Sequence, residues 1–350
     1  MPATLAQSLH ELTVPGACFA RRESDGAIRC WACGHECLIP EGKSGVCKVR
    51  HVEGGELRVP FGYTGGVAVD PIEKKPFFHV LPGSEALSFG MLGCDFKCGY
   101  CQNWLTSQTL RDESAGVAPR PVAARELAML AQRHGCPVIV STYNEPLITA
   151  EWARAVFEEA RALGIRCGFV SNGNATPEVL DYLRPVLDLY KVDLKGFQKR
   201  SYAQLGGRLE TVLQSIDGIL ERGLWLEVVT LVVPGFNDST EELTQIAEFL
   251  AARSPDIPWH VTAFHTDYKF QDRRSTRADD LLRAHEIGKA AGLHFVYCGN
   301  RPGQLPGLED TTCPGCGAAL IRRVGFTVLG SLLKEGRCPG CGRAIPGVWT

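Results

Sequence analysis

The sequence lacks the long apolar run that a membrane span requires: no stretch among its 350 residues approaches the roughly 20 needed to cross a bilayer. The opening residues, Met1 to His10, have neither a basic start nor an apolar core. No secretory signal is read there, and a cytoplasmic location is expected. Net charge is equally scarce. Thirty-seven Lys and Arg against 39 Asp and Glu leave −2, which gives no electrostatic reason to expect nucleic acid or a membrane surface as a partner. With 45% hydrophobic and 22% charged residues, the composition is that of a soluble globular chain, long enough for one large domain or a large one with small satellites.

Cysteine, by contrast, is abundant, with 15 residues. A reducing compartment argues against a disulfide framework, and the spacing argues for metal. Eleven fall into three clusters: Cys30, Cys33, Cys37 and Cys47; Cys94, Cys98 and Cys101; and Cys313, Cys316, Cys338 and Cys341. The remaining Cys18, Cys136, Cys167 and Cys298 are read as buried small hydrophobes.

The chain changes character twice. Residues 1–85 are rich in Gly and Pro and read as an irregular, Cys-rich extension. Residues 86–298 alternate β-rich apolar runs (86–92, 137–141, 166–171, 188–194, 224–233, 259–264 and 294–298) with amphipathic stretches at 123–134, 151–163, 211–222, 241–252 and 278–291. Such alternation predicts right-handed crossovers and a parallel sheet, an α/β fold better suited to a partial or complete barrel than to a small doubly wound sheet. Chemistry is then expected just after each strand. Residues 299–350 return to Gly/Pro-rich sequence with paired cysteines and read as a small appended module.

Directly after the first expected strand comes Gly93-Cys94-Asp95-Phe96-Lys97-Cys98-Gly99-Tyr100-Cys101. Three thiolates so spaced can cap three irons of a cubane cluster. No fourth cysteine follows nearby, so one iron would keep an open position, as catalytic metals do. A zinc site with a distant fourth ligand is the alternative. The Cys-x3-Cys-x-aromatic-Cys pattern after a first strand resembles the signature of the radical S-adenosylmethionine (SAM) superfamily. That resemblance implies a partial (β/α)6-type barrel holding a [4Fe-4S] cluster whose open iron chelates SAM. Reductive cleavage then gives a 5′-deoxyadenosyl radical that abstracts hydrogen. It also places Tyr100 near the adenine.

Later strand ends carry polar motifs. Asn144-Glu145-Pro146 lies where superfamily members bind the SAM amino group, and a carboxylate suits an ammonium; a helix entry capped by Asn144 is the plainer reading. Ser171-Asn172-Gly173-Asn174 offers Asn172 to a ligand or forms a turn. Lys191, Asp193 and Lys195 share one strand face, and the Asp193–Lys195 pair resembles one that glycyl-radical-enzyme activases set against SAM and substrate. His265 reads as a SAM or substrate contact, or as a satisfied structural histidine.

Further motifs resemble the radical SAM member of the AmmeMemoRadiSam system, itself similar to pyruvate formate-lyase activating enzymes: Asp70-Pro71-Ile72-Glu73-Lys74-Lys75-Pro76, Cys30 through Cys37 continuing to Cys47 and Arg50, and Tyr297-Cys298-Gly299-Asn300. The resemblance implies a peptide or protein substrate, an electron donor such as flavodoxin or ferredoxin, and Memo-like or AMMECR1-like partners. Radical modification of a small molecule or RNA, and a non-catalytic docking scaffold, are the competing readings. Two positions depart from the pattern: Thr266 stands in place of an expected Pro, and Asp95 in place of an expected Asn.

Cys313-Pro314-Gly315-Cys316 and Cys338-Pro339-Gly340-Cys341 form two knuckles separated by 21 residues, the logic of a zinc ribbon, with rubredoxin-like iron as the alternative. Cys30, Cys33, Cys37 and Cys47 are less regular and are expected to bind zinc or an Fe–S cluster, with His35 able to replace one ligand.

Overall fold

The computed structural model describes residues 4–350. The chain divides into two units, each assembled from separated segments. The first comprises the chain up to Val69, Ala86–Tyr190 and Ala203–Leu224; the second comprises Asp70–Glu85, Lys191–Tyr202 and Trp225–Thr350.

In the first unit the N-terminal region is more regular than expected. It forms two antiparallel three-stranded sheets, one from Thr13–Pro15, Glu56–Pro60 and His51–Glu53, the other from Ala20–Arg22, Ile28–Cys30 and Leu38–Ile39. The strand Val138–Ser141 then lies parallel between Glu85–Gly90 and Arg166–Ser171, pairing Ile139 with both Leu87 and Cys167. All four of its residues are buried, as befits a short apolar strand covered on both faces. The helix Ala150–Ala162 covers the sheet because Trp152, Ala153, Val156, Phe157 and Ala160 recur at helical spacing on one face. Its Phe157 packs on Phe89 and Phe169 with ring centroids 6.1 and 5.7 Å away. A helix not expected from periodicity, Pro177–Leu183, is started by Thr176, whose side chain accepts from Val179 N.

The second unit contains the parallel strands Trp225–Val232, Trp259–Ala263 and Val296–Gly299, with helices Thr240–Ala251 and Ala278–Ala290. The antiparallel strands Thr311–Thr312, Ala319–Val324 and Thr327–Ser331 follow. The paired-cysteine module shares a core with the strand unit: Phe78, Phe295 and Tyr297 pack with Cys313, Leu320, Ile321, Cys338 and Ile345.

Polar side chains are threaded through that core. The Glu227 carboxylate, fully buried, accepts from Phe78 N, His79 N, Trp225 Nε1 and His260 Nε2 at 2.7–3.1 Å. Tyr297 donates to His79 Nε2 (2.6 Å) and bonds Thr311 Oγ1 (2.9 Å), while His79 Nδ1 donates to Pro346 O (2.6 Å). Arg323 reaches Thr311 Oγ1, Phe78 O and the buried Glu73. Within the 70–76 motif, Asp70 pairs with Lys74 (2.6 Å) and Lys75 (2.9 Å), so this segment is fixed by its own charges.

Of the four cysteines outside the clusters, Cys136, Cys167 and Cys298 are buried as expected, but Cys18 is exposed and is not a core residue. It immediately precedes Phe19, which takes the buried place instead.

Burial drives the His79 imidazole down to about 4 from an ordinary 6.5. The folded protein therefore keeps His79 neutral while the unfolded chain takes up a proton as pH falls below 6.5. Stability should decline as pH falls from 6.5 to about 4. Urea unfolding at several pH values should show this slope, and the slope should flatten in His79→Gln.

Candidate functional site

The cysteine loop leaves the strand Glu85–Gly90 through Gly93, which adopts a left-handed φ of +87°. Gly93 N–H bonds Thr106 O (2.9 Å) in the short helix Trp104–Ser107, closing the loop over itself. Cys98 is buried, and Cys94 and Cys101 are half-buried. Cys94 Sγ accepts from Phe96 N (3.4 Å), and Cys101 Sγ lies 3.1 Å from Ser107 Oγ. Tyr100 is buried beside them in the sequence.

The next two strand ends bring carboxyl and amide groups to this loop. Glu145 is buried; it accepts from Leu147 N (3.1 Å) and Ser171 Oγ (2.7 Å) through one oxygen and from Asn172 N (2.7 Å) through the other. The helix entry is thus capped by Glu145, not by Asn144, because Asn144 is turned to accept from Met91 N (3.0 Å). Between them the chain bends sharply. Tyr143 takes φ +71°, unusual for an aromatic residue, and a Cβ on Gly90 would lie 2.3 Å from Thr142 O.

Asp95, next to Cys94, is buried and accepts from Asn172 Nδ2 (2.7 Å) and Asn174 Nδ2 (2.8 Å). Its carboxyl is held below the usual range: burial works against ionisation, but His35 and the two asparagine amides outweigh it. Asn174 Nδ2 also meets His35 Nδ1 (2.9 Å), and His35 Nε2 donates to Gly206 O (2.6 Å). The departure of Asp95 from the expected Asn is therefore matched by a shell of amide donors. His35 makes these contacts and also approaches Cys33 Sγ at 3.7 Å.

Burial, with the neighbouring Asp95 and Glu145, pushes the Cys94 thiol far up, and burial with Asp95 raises Glu145 to about 8. At neutral pH burial thus keeps Cys94 and Glu145 protonated beside an ionised Asp95, and a cation placed among them would favour loss of those protons. Iron and an ammonium are cations of the required kind, and the three thiols fit a cluster on this ground.

Arg111 is a contributor that spacing does not reveal. Its guanidinium donates to Cys94 O (2.9 Å), Phe96 O (2.6 Å), Gln108 Oε1 (2.9 Å) and Val46 O (2.6 Å). Nearby, the N-terminal cysteine region holds Cys30, Cys33 and Cys47 buried and Cys37 half-buried, with Cys30 N bonded to Cys37 O (2.8 Å). Burial raises Cys33 and Cys37, and takes Cys47 to about 11. Arg50, itself buried, donates to Cys30 Sγ (3.6 Å) and Ile148 O (2.8 Å) and pairs with Glu151.

The other expected site residues belong to the second unit. At the end of the strand Leu189–Asp193, Asp193 pairs with Lys191 and with Lys195 (3.2 Å). Burial opposes its ionisation, but the two lysines win and hold its carboxyl at about 2. His265, just past Trp259–Ala263, is exposed, with Nδ1 3.3 Å from Thr266 O. The four C-terminal thiols converge within 4.8 Å, with Cys313 and Cys341 3.5 Å apart and Cys316 and Cys338 3.6 Å apart. Ligands at about 2.3 Å around a tetrahedral ion stand about 3.8 Å from one another, so the donor set fits one metal ion. Although burial raises it, the Cys313 thiol is lowered to about 7, chiefly by the Gly315 and Cys316 N–H groups.

Because Cys338 lies inside the apolar core of its unit, Cys338→Ser should lose about one bound metal ion per chain, measured by elemental analysis, and lower the thermal midpoint of the same sample.

The family model of the Radical SAM superfamily matches residues 90–250. An uncharacterized protein of Methanocaldococcus jannaschii is 36% identical over 312 residues, covering 89% of this chain and 92% of that one. The pyruvate formate-lyase-activating enzyme of Staphylococcus epidermidis is 23% identical over 201 residues, which is 53% of this chain and 78% of that enzyme. A radical SAM methyltransferase structure from Sphaerobacter thermophilus aligns with a TM-score of 0.49 and 14% identity, over 86% of this chain and 82% of that one. With its three-cysteine loop at the end of a parallel strand and this match across it, the chain belongs to the radical SAM superfamily and has activating enzymes among its relatives.

Proposed function

We propose that Cys94, Cys98 and Cys101 hold a [4Fe-4S] cluster at which SAM is reductively cleaved, and that the hydrogen abstracted belongs to a peptide or protein. The observation that carries the reading is the buried acid–amide shell, Asp95 with Asn172 and Asn174 and Glu145 with Ser171, gathered around a three-thiol loop. When bound, cluster and SAM supply an electron and a hydrogen-abstracting radical; the chain supplies position and dryness. The fold this implies is a partial (β/α)6-type barrel over 86–298, with a Cys-rich extension at 1–85 and a zinc-ribbon-like module at 299–350.

Glu145 keeps one lone-pair site on the oxygen that accepts only Asn172 N, and this site suits the SAM ammonium. Asn144 Nδ2 donates to Glu145 O and Asn172 N donates to the Glu145 carboxylate, which holds it in place. Tyr100 is assigned to the adenine, and Asp193, Lys195 and His265 to SAM or substrate polar groups. Asp193 is well suited, since its flanking lysines keep it ionised. The C-terminal thiols are assigned zinc, supported by their spacing, and Cys30, Cys33, Cys37 and Cys47 a second zinc or an Fe–S centre.

The protein substrate is proposed from the activating-enzyme relatives, one of which is named for activating pyruvate formate-lyase. Memo-like or AMMECR1-like partners are proposed from the motifs at 30–50, 70–76 and 297–300. A flavodoxin or ferredoxin is the proposed reductant, in a cytoplasm reducing enough to keep the thiols available.

Anaerobically reconstituted protein given dithionite and SAM should release 5′-deoxyadenosine, measured by liquid chromatography. Cys98→Ala should lose both the cluster absorption and the product. A reconstituted wild-type chain that yields no 5′-deoxyadenosine, with or without candidate partners, would overturn the proposal.

A further inference from the structure

We infer that, given the cluster reading of Cys94, Cys98 and Cys101, Ser107 donates a hydrogen bond to the ligand sulfur of Cys101 and so raises the potential at which the cluster accepts its electron. Gln108 and Arg111 fix the direction of that bond.

Ser107 closes the short helix Trp104–Ser107 that follows the cysteine loop. Its Oγ lies 3.1 Å from Cys101 Sγ, and its backbone N–H bonds Asn103 O (2.9 Å), which holds the residue in place. A hydroxyl this close to a sulfur can give or take a proton. The neighbours decide which. Gln108 Nε2 donates to Ser107 Oγ (3.1 Å) and to Phe96 O (3.3 Å), while Gln108 Oε1 accepts from Arg111 (2.9 Å).

The Gln108 amide is pinned at both ends. A guanidinium has five N–H donors and no acceptor, so the amide oxygen must face Arg111. A backbone carbonyl only accepts, so the amide nitrogen must face Phe96 O. Arg111 is itself anchored on Cys94 O (2.9 Å), Phe96 O (2.6 Å) and Val46 O (2.6 Å). With an amide N–H aimed at it, Ser107 Oγ accepts from Gln108 and keeps its single proton for Cys101 Sγ. Ser107 and Gln108 are both buried, so water competes little for either bond.

An iron-bound thiolate carries negative charge, which grows when the cluster takes up an electron. A donor on that sulfur therefore stabilises the reduced form more than the oxidised form, and the midpoint potential rises. Ser107, Gln108 and Arg111 are accordingly positioning residues: they act on the cluster through Cys101. The signal in sequence is slight, a serine six residues past the third cysteine with Gln and Arg at the next position and three beyond it.

The test uses the full-length reconstituted protein without SAM, with two readouts: an EPR-monitored redox titration, and ENDOR of the reduced cluster in H2O and in D2O. The wild type should show an exchangeable-proton coupling that Ser107→Ala lacks. Ser107→Ala should also disfavour reduction about tenfold, a fall of 59 mV for one electron. Ser107→Thr, which keeps the hydroxyl, should restore both. Arg111→Met frees the Gln108 amide to turn, so its midpoint should fall part of the way. A loop merely loosened enough to admit water would move the potential upward, because water stabilises the more highly charged reduced cluster. The inference is overturned if Ser107→Ala keeps the wild-type midpoint or the full set of exchangeable couplings, or if Arg111→Met titrates at or above the wild type. Should Ser107→Ala take up no cluster, the midpoint of Arg111→Met decides alone. A cluster signal that survives Cys98→Ala would instead overturn the reading of the site.

Discussion

Two carboxyl groups and a set of thiols share the interior of the first unit, and the cost of ionising them there is the constraint around which that unit is arranged. A buried anion is tolerable only when its oxygens are saturated with donors or faced by a cation. Asp95 and Glu145 draw their donors from the same short segment, residues 171–174, at the end of the strand Arg166–Ser171. The segment must therefore carry hydroxyl and amide side chains and lie close, which fixes the spacing of the strand ends. The preceding bend at Tyr143 and the absence of a side chain at Gly90 make that approach sterically possible.

The second unit meets the same problem with hydrogen-bond donors and, at Glu73 and Asp193, with countercharges. Glu227 is matched by His260 and backbone N–H groups, Glu73 by Arg323, and Asp193 by two lysines. These pairs occupy distinct places along the strands. Glu227 and His260 lie near the beginnings of Trp225–Val232 and Trp259–Ala263, where the cysteine module docks, while Asp193 ends its own strand. Structural charge and candidate ligand-binding charge are thus separated to the two ends of the strands, as parallel α/β folds require.

The strands of 86–298 were legible because apolar β-branched runs between helical stretches leave few alternatives; the run 166–171 coincides with Arg166–Ser171. Short elements were not. Pro177–Leu183 and Lys199–Leu205 have seven residues each, too few turns for a 3.6-residue period to stand out, and the N-terminal strands of two to six residues show no readable alternation. Within the site, adjacency in sequence exposed the cysteines, Glu145 and Asn172. Arg111 remained hidden because it binds backbone carbonyls, which carry no sequence signature, and Cys18 because a lone cysteine says nothing of its exposure.

The hydrogen bond from His79 to Pro346 O spans 267 positions of the chain, and the Arg323–Glu73 pair spans 250. During synthesis, Glu73 and His79 emerge long before the residues that satisfy them. The polar core of the second unit therefore cannot be completed until the C-terminal segment is present, and until then it stays open to water. The closing strands Ala319–Val324 and Thr327–Ser331 lie between the two cysteine knuckles. The knuckles and the strands that complete the buried network thus belong to one segment and one core, giving the C-terminal segment the part of a latch on the finished fold.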